Sequence, residues 1–117
     1  MTWVKLSDDF GPRMAAYQVS DAAFRTHVEA LNWCMFRLND GVIPVGELIR
    51  FLESPNWSAA VDELIDIGLW SMNEGNQTLS VHFGMEWQRT PEQVEKERAA
   101  TAARVAKHRA KKESDEA

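Results

Sequence analysis

From Pro91 to Ala117 the chain runs without glycine or a second proline, and it is rich in alanine, lysine and arginine. Thr90, Pro91, Glu92 and Gln93 open this segment. They supply an N-cap, a proline at the first helical position, an acid, and the Gln of a capping box. Alanine has the highest intrinsic helix propensity, so the segment reads as one helix, marginal if isolated in water. Its alanine face is shallow and buries little. A core must therefore come from what precedes it, which divides the chain into a 1–89 domain and a 90–117 basic, Ala-rich helical tail.

Charge divides at the same place. The whole chain carries a formal net charge of -5. Residues 1–90 hold six Lys or Arg against twelve Asp or Glu, a net of -6, whereas residues 91–117 hold seven against six. From Arg98 to Lys112 every charge is positive. Such a split predicts a body and an arm with different partners. No run approaches the roughly 18 apolar residues of a membrane span, so no membrane partner is expected. "MTWVKLSDDF" lacks the basic-then-apolar order of a signal peptide, and the single Cys34 forms no internal disulfide; both fit a cytoplasmic protein.

Within the body, "TWVKLSDDF" alternates as a short leading strand would, and "GPRM" then breaks the chain. Ser20 is an N-cap, Asp21 favours the positive helix end, and Val19 can staple onto Phe24. Phe24, Val28, Leu31, Met35 and Leu38 recur at steps of four and three, drawing an apolar face through a long helix that ends at "NDG", where Gly41 can take a left-handed turn. "VIP" is a short β-branched run. Val45, Leu48, Ile49 and Leu52 return to helical spacing, and "ESPN" breaks it. Ser58 caps a third helix with Val61, Leu64 and Ile65 inward and Gly68 as its stop. "LWSMN", "EGNQ" and "TLSVHF" read as a hairpin turning at Gly75 and Asn76. The expected architecture is α+β and mostly helical: a winged helix-turn-helix closed around Trp70, Leu79 and Val81, with a C-terminal extended helix.

"WVKLSDDF", "VSDAAFRTHVEALNWC", "LNDGVIPVGEL" and "AAVDELIDIGLW" together resemble the N-terminal winged-helix domain of phage and mobile-element replisome organisers and related actinobacterial replication proteins. The likeness covers roughly Trp3 to Trp87 and rests on apolar positions and turn residues. It implies DNA binding in replication or transcriptional regulation, with a replication or regulatory protein as a further partner. Winged helices also dimerise through their long first helix or terminal helices, so a homodimer is plausible.

On this reading the body sits on double-stranded DNA through Arg50, Asn56, Ser58 and the turn from Asn73 to Thr78. The tail adds phosphate contacts. At about 100° per residue, Arg104, Lys107, His108 and Lys111 line one side of it and Ala99, Ala103, Ala106 and Ala110 another. Arg98, Arg104, Lys107, Arg109, Lys111 and Lys112 can neutralise about five phosphates, enough for non-specific attachment but not for sequence choice. The same tail can instead meet an acidic protein surface or a second copy's body, or serve only solubility. A different function also fits. The third helix carries Asp62, Glu63 and Asp66 with no Lys or Arg, and with Trp57 it can form the docking face of an acidic adaptor that binds a host or phage protein, as inhibitor or DNA mimic.

Chemistry-bearing motifs are otherwise sparse. His27, His82 and His108 lie far apart, and no Cys/His/Asp cluster has metal-ligand spacing. There is no nucleophile elbow, P-loop or dinucleotide fingerprint. His27 and His82 read as structural or surface residues and Cys34 as a buried, inert thiol. No catalysis, metal or cofactor is expected.

Overall fold

Helix α1 forms where the sequence predicts a break. In the computed structural model, which describes residues 3–116, Phe10–Ala16 is helical. Pro12 falls in the first turn, where backbone N–H groups have no intrahelical acceptor, so its missing donor costs nothing. The expected leading strand is not there, and Thr2 lies outside the described residues. Gln88 takes the place of a neighbouring strand: its side chain accepts from the Lys5 N–H at 2.8 Å and donates to the Lys5 carbonyl at 2.6 Å.

Helix α2 spans Asp21–Arg37, and Ser20 caps it by accepting from the Ala23 N–H at 3.1 Å. It stops one turn before Gly41, because Leu38 itself adopts the left-handed conformation (φ 53°). Gly41 has its own reason to be glycine. At φ +84°, a Cβ there would lie 2.9 Å from the Val81 carbonyl oxygen, and the Gly41 carbonyl accepts from Val81 N–H at 2.8 Å. Chain and sheet are thus in direct backbone contact where strand β1, Val42–Pro44, begins.

A single turn of 3-10 helix, Val45–Glu47, leads into the short α3, Leu48–Phe51, and α4 follows at Trp57–Ile67. Gly68 (φ 93°) ends α4 in the left-handed conformation, as predicted. Strands β2, Trp70–Asn73, and β3, Thr78–Val81, form the expected hairpin. The sheet is three-stranded and antiparallel in the order β1-β3-β2, with Ile43 opposite Leu79 and Trp70 opposite Val81. The architecture is α+β and 62% helical, a proportion set largely by α2 and by the terminal helix α5, Pro91–Glu116.

The core lies between α2, α4 and the inner sheet face. Leu31, Ile43, Leu64, Trp70 and Leu79 are fully buried there, and Val81 nearly so. On α2 the buried side is Ala23, Thr26, His27, Ala30, Leu31, Cys34 and Met35. Phe24 and Val28, assigned inward by their spacing, are pushed off centre. The small residues let α4 approach closely, and Phe24 packs edge-on against Phe10 of α1 instead, with ring centroids 5.6 Å apart. Val45 and Ile49 likewise turn outward, while Leu48 and Leu52 are buried.

Two carboxylates tie α2 and α4 together. Glu63 accepts from both the N–H and the hydroxyl of Ser20 at 2.7 Å. Glu29 accepts from the N–H groups of Glu53 and Ser54 at 2.6 and 3.1 Å, just ahead of α4. Each helix therefore holds the approach to the other. Charge-assisted bonds of this kind are among the stronger ones available to a small domain.

Candidate nucleic-acid interface

The cations predicted from sequence fall on two separate elements. Arg50 lies in the last turn of α3 and is exposed, with Glu47 at 3.6 Å. Asn56 and Ser58 are exposed at the start of α4. The cap falls two residues earlier than predicted: Asn56 holds the cap position without a side-chain cap bond, and Ser58 lies in the first turn. The Trp57 N–H already bonds the Ser54 carbonyl at 3.2 Å, which starts the turn early.

Beyond Arg50 this surface offers no positive charge. Residues 51–88 contain no Lys or Arg. Asp62 and Asp66 are exposed on α4, and Glu74 is exposed in the hairpin turn. The hairpin's polar face is a neutral network: Asn73 Nδ2 donates to Thr78 Oγ1 at 3.0 Å and to Ser80 Oγ at 2.8 Å. Glu63 requires a correction. Placed with Asp62 and Asp66 on the acidic docking face, it is half-buried and engaged by Ser20, because a carboxylate at a helix N-terminus satisfies otherwise unbonded donors. Trp57 is half-buried and packs against the core.

Helix α5 holds the rest. Its start is the predicted capping box: the Thr90 N–H donates to Gln93 Oε1 at 2.9 Å, and the Gln93 N–H donates to Thr90 Oγ1 at 3.1 Å. Val94 is buried in the body, and Arg89 pairs with Glu97. From Glu95 to Asp115 every residue is exposed. Arg98 pairs with Glu95 at 3.4 Å, and Arg104 donates to Thr101 Oγ1 at 3.3 Å. Lys107, Arg109, Lys111 and Lys112 make no ion pair among the described residues, so their charge is directed at solvent. At about 1.5 Å per residue a helix of 26 residues is about 39 Å long, which accounts for a longest dimension of 64 Å against 34 and 23 Å.

The buried titratable groups face inward and serve packing. Trp70 Nε1–H donates to His27 Nδ1 at 2.9 Å, which places the neutral ring's proton on Nε2. Burial lowers the His27 pKa to about 4, outweighing a backbone interaction at Phe83 that favours the charged ring. Burial also pushes the Cys34 thiol up to about 12, which makes it unreactive. Ser71 Oγ and His82 Nε2 lie 2.8 Å apart on the surface, but no carboxylate orients the imidazole among the described residues. No group of three or more His, Cys, Asp or Glu among them is placed to hold a metal. Among the described residues no helix is long and apolar enough to cross a membrane.

Some features had no place in the sequence-based reading. The carboxylate clamps at Glu29 and Glu63 join residues 24 and 43 positions apart, and no local pattern announces them. A second stripe on α2, Glu29, Asn32, Trp33, Phe36 and Arg37, follows helical spacing and was legible. Its Phe36 is 82% exposed. No family model, curated protein or solved structure matches the chain.

Proposed function

We propose that the chain is a non-catalytic DNA-binding protein of the winged-helix type, of phage or mobile-element origin, acting in replication or transcriptional regulation. The element order α2-β1-α3-α4-β2-β3, with β1 paired to β3, is the order a winged helix uses. The observation that carries the reading is α5. It stands clear of the body with every charge from Arg98 to Lys112 positive, exposed and continuous.

This assignment moves the work of binding off α4. A major-groove helix reads base edges with Arg, Lys, Asn or Gln, and α4 presents Asp62 and Asp66. Helix α5 instead neutralises phosphates and releases their counterions, a sequence-independent attraction that an acidic body does not abolish. Arg50, Asn56 and Ser58 then position the body beside the duplex.

Electrophoretic mobility shift on random duplex DNA tests the proposal. Neutralising about five phosphates gives a slope of log affinity against log salt of about -4 to -5. Changing Lys107, Arg109, Lys111 and Lys112 to Ala should abolish the shift at moderate salt. Retention of full affinity by that quadruple variant removes α5 from the mechanism. No shift by the intact chain even at low salt favours the acidic adaptor, whose support is the Asp62 and Asp66 face on a body of net charge -6.

A further inference from the structure

On α2, the side turned away from the core is itself patterned. Glu29, Asn32, Trp33, Phe36 and Arg37 recur at i, i+3, i+4, i+7 and i+8, so they form one stripe about two turns long. Trp33 stacks on Phe51 of α3, with centroids 4.8 Å apart and planes 12° from parallel. Phe36 is 82% exposed, and Ile49 of α3 is 74% exposed. Two shallow grooves share Trp33 as a wall. One, of about 310 Å³, runs among Glu29, Asn32, Phe36 and Phe51; the other, of about 470 Å³, runs toward Asn39, Val42 and Pro44. Exposed aromatic side chains beside such grooves mark an interaction surface.

The grooves offer hydrogen-bond donors. Asn39 Oδ1 accepts from the Gly41 N–H at 3.2 Å, which leaves Nδ2 as the open end of that amide. The indole N–H of Trp33 and the Asn32 amide bond nothing among the described residues. Seven charged side chains stand on or beside this face, four carboxylates against three guanidiniums. Glu29 is committed to Arg25 at 3.2 Å, and Glu47 to Arg50 at 3.6 Å. Arg37 makes no ion pair, but its guanidinium lies 5.7 Å from the Trp33 ring centroid, within cation-π range. Asp40, just beyond the end of α2, and Glu53, just beyond α3, are exposed and make neither kind of contact among the described residues. What this face leaves unanswered is therefore apolar, donating and negative.

We propose that the face formed by Trp33, Phe36 and Phe51 binds a proline-rich segment of another protein, with a lysine or arginine at its flanks. Such a segment is an extended polyproline helix, already ordered, whose rings fit shallow aromatic-walled grooves. Proline has no N–H, so the ligand's backbone only accepts, and the open groups of Trp33, Asn32 and Asn39 can donate to it. The flanking cations answer Asp40 and Glu53. From Glu29 to Arg37 the stripe is about 12 Å long, about four residues of a polyproline rod at about 3.1 Å each. Nothing within residues 1–117 supplies this ligand. The four prolines are isolated, and the cationic helix α5 has no aromatic residue and no proline after Pro91.

Fluorescence anisotropy of a labelled oligoproline peptide with an arginine at each end, titrated with the intact chain, tests this. Binding should saturate. In the complex the indole N–H resonance of Trp33 should move, while that of Trp70, bonded to His27, stays in place. Phe36→Ser and Trp33→Phe should each weaken binding by at least about fivefold, the first by removing a wall and the second by removing the indole N–H. Phe36→Ser should leave the thermal midpoint unchanged, since Phe36 supports little of the fold. Asp40→Asn combined with Glu53→Gln should weaken the arginine-flanked peptide by about fivefold and leave a plain oligoproline unaffected. Asparagine suits position 40, where the backbone is left-handed (φ 59°). No saturable binding, or an affinity indifferent to both Phe36→Ser and Trp33→Phe, would overturn the proposal. Equal binding of a peptide whose prolines are replaced by alanine would overturn it too, because charge or a helix would then be what is read. So would oligothymidylate binding that Phe36→Ser removes, since the face would then hold single-stranded DNA. None of these readings uses duplex DNA, so they stand apart from the mobility-shift result.

Discussion

Helices α2 and α5 begin with the same chemistry and end in opposite circumstances. Ser20 caps one and Thr90 the other, each through a side-chain oxygen that accepts a backbone N–H at 3.1 Å. Beyond the cap, α2 buries Ala23, Thr26, His27, Ala30, Leu31, Cys34 and Met35, whereas on α5 Val94 alone is buried among the described residues. Capping decides where a helix starts; packing decides whether anything else depends on it. Helix α5 keeps its form through alanine and short-range pairs such as Lys96 with Glu92 at 3.8 Å. Its whole circumference is left for a ligand. Helix α2 has no such freedom, except along the one stripe that faces away from the core.

The sharpest separation of the two regions comes from Trp70→Ala and Val105→Ala. Trp70 is 1% exposed, so its loss leaves a cavity and costs about 3–5 kcal/mol. It also strips His27 Nδ1 of its donor. Val105 is 42% exposed on α5, and its truncation should fall within about 0.5 kcal/mol of the native chain. Urea unfolding followed by tryptophan fluorescence reads both. Comparable losses from the two variants would mean that α5 is packed against something and is no separate rod.

Acid should act on the body and spare α5. His27 has its pKa lowered from 6.5 to about 4 in the folded chain, so the unfolded state binds more protons between those values. Stability from this group is fully present above pH 6.5 and is lost as pH falls toward 4, since stability rises with pH wherever the unfolded chain holds the extra proton. The loss between pH 7 and 5.5 should be about 1 kcal/mol. The geometry gives the same sign: a protonated Nδ1–H would point at the Trp70 N–H, donor against donor. Denaturant midpoints across this range, compared with those of a His27→Gln variant, check it. An equal pH slope in the variant would assign the effect to the surface carboxylates.

The same contrast explains what the amino-acid sequence disclosed. Helix α5 could be read almost residue by residue, because Thr90, Pro91 and Gln93 set its start and local propensity does the rest. The hairpin and its turn at Gly75 and Asn76 were legible for a similar reason. Helix α1 was not, because Pro12 signals a break unless one knows that it falls in a first turn. On α2, Leu31 and Met35 lie inward as their spacing predicts and Cys34 is buried beside them, but Phe24 is not, and the buried Ala23 and Ala30 leave no signal in a pattern of large apolar residues. Ala23, Ala30 and Cys34 mark the close approach of α4, while Phe24 is diverted onto Phe10 by a helix the sequence did not announce. At the candidate interface, the cations of α5 are plain in the sequence, but the bond that ties Glu63 to Ser20, 43 residues away, is not. Long-range bonds leave no local trace.

The smallest effect is the most discriminating. Ala106→Gly lies in the exposed middle of α5, where glycine disfavours the helix by about 1 kcal/mol through backbone entropy. If α5 is energetically separate, that cost stays local. Far-UV circular dichroism should show lost helix while the fluorescence-detected unfolding midpoint of the body is unchanged. DNA affinity should fall only a fewfold, since no charge is removed and the duplex must now order a looser rod. A shift in the body's midpoint would show that the two regions fold as one unit. Unchanged circular dichroism with weakened DNA binding would instead place a contact at the alanine face, where the charge argument puts none.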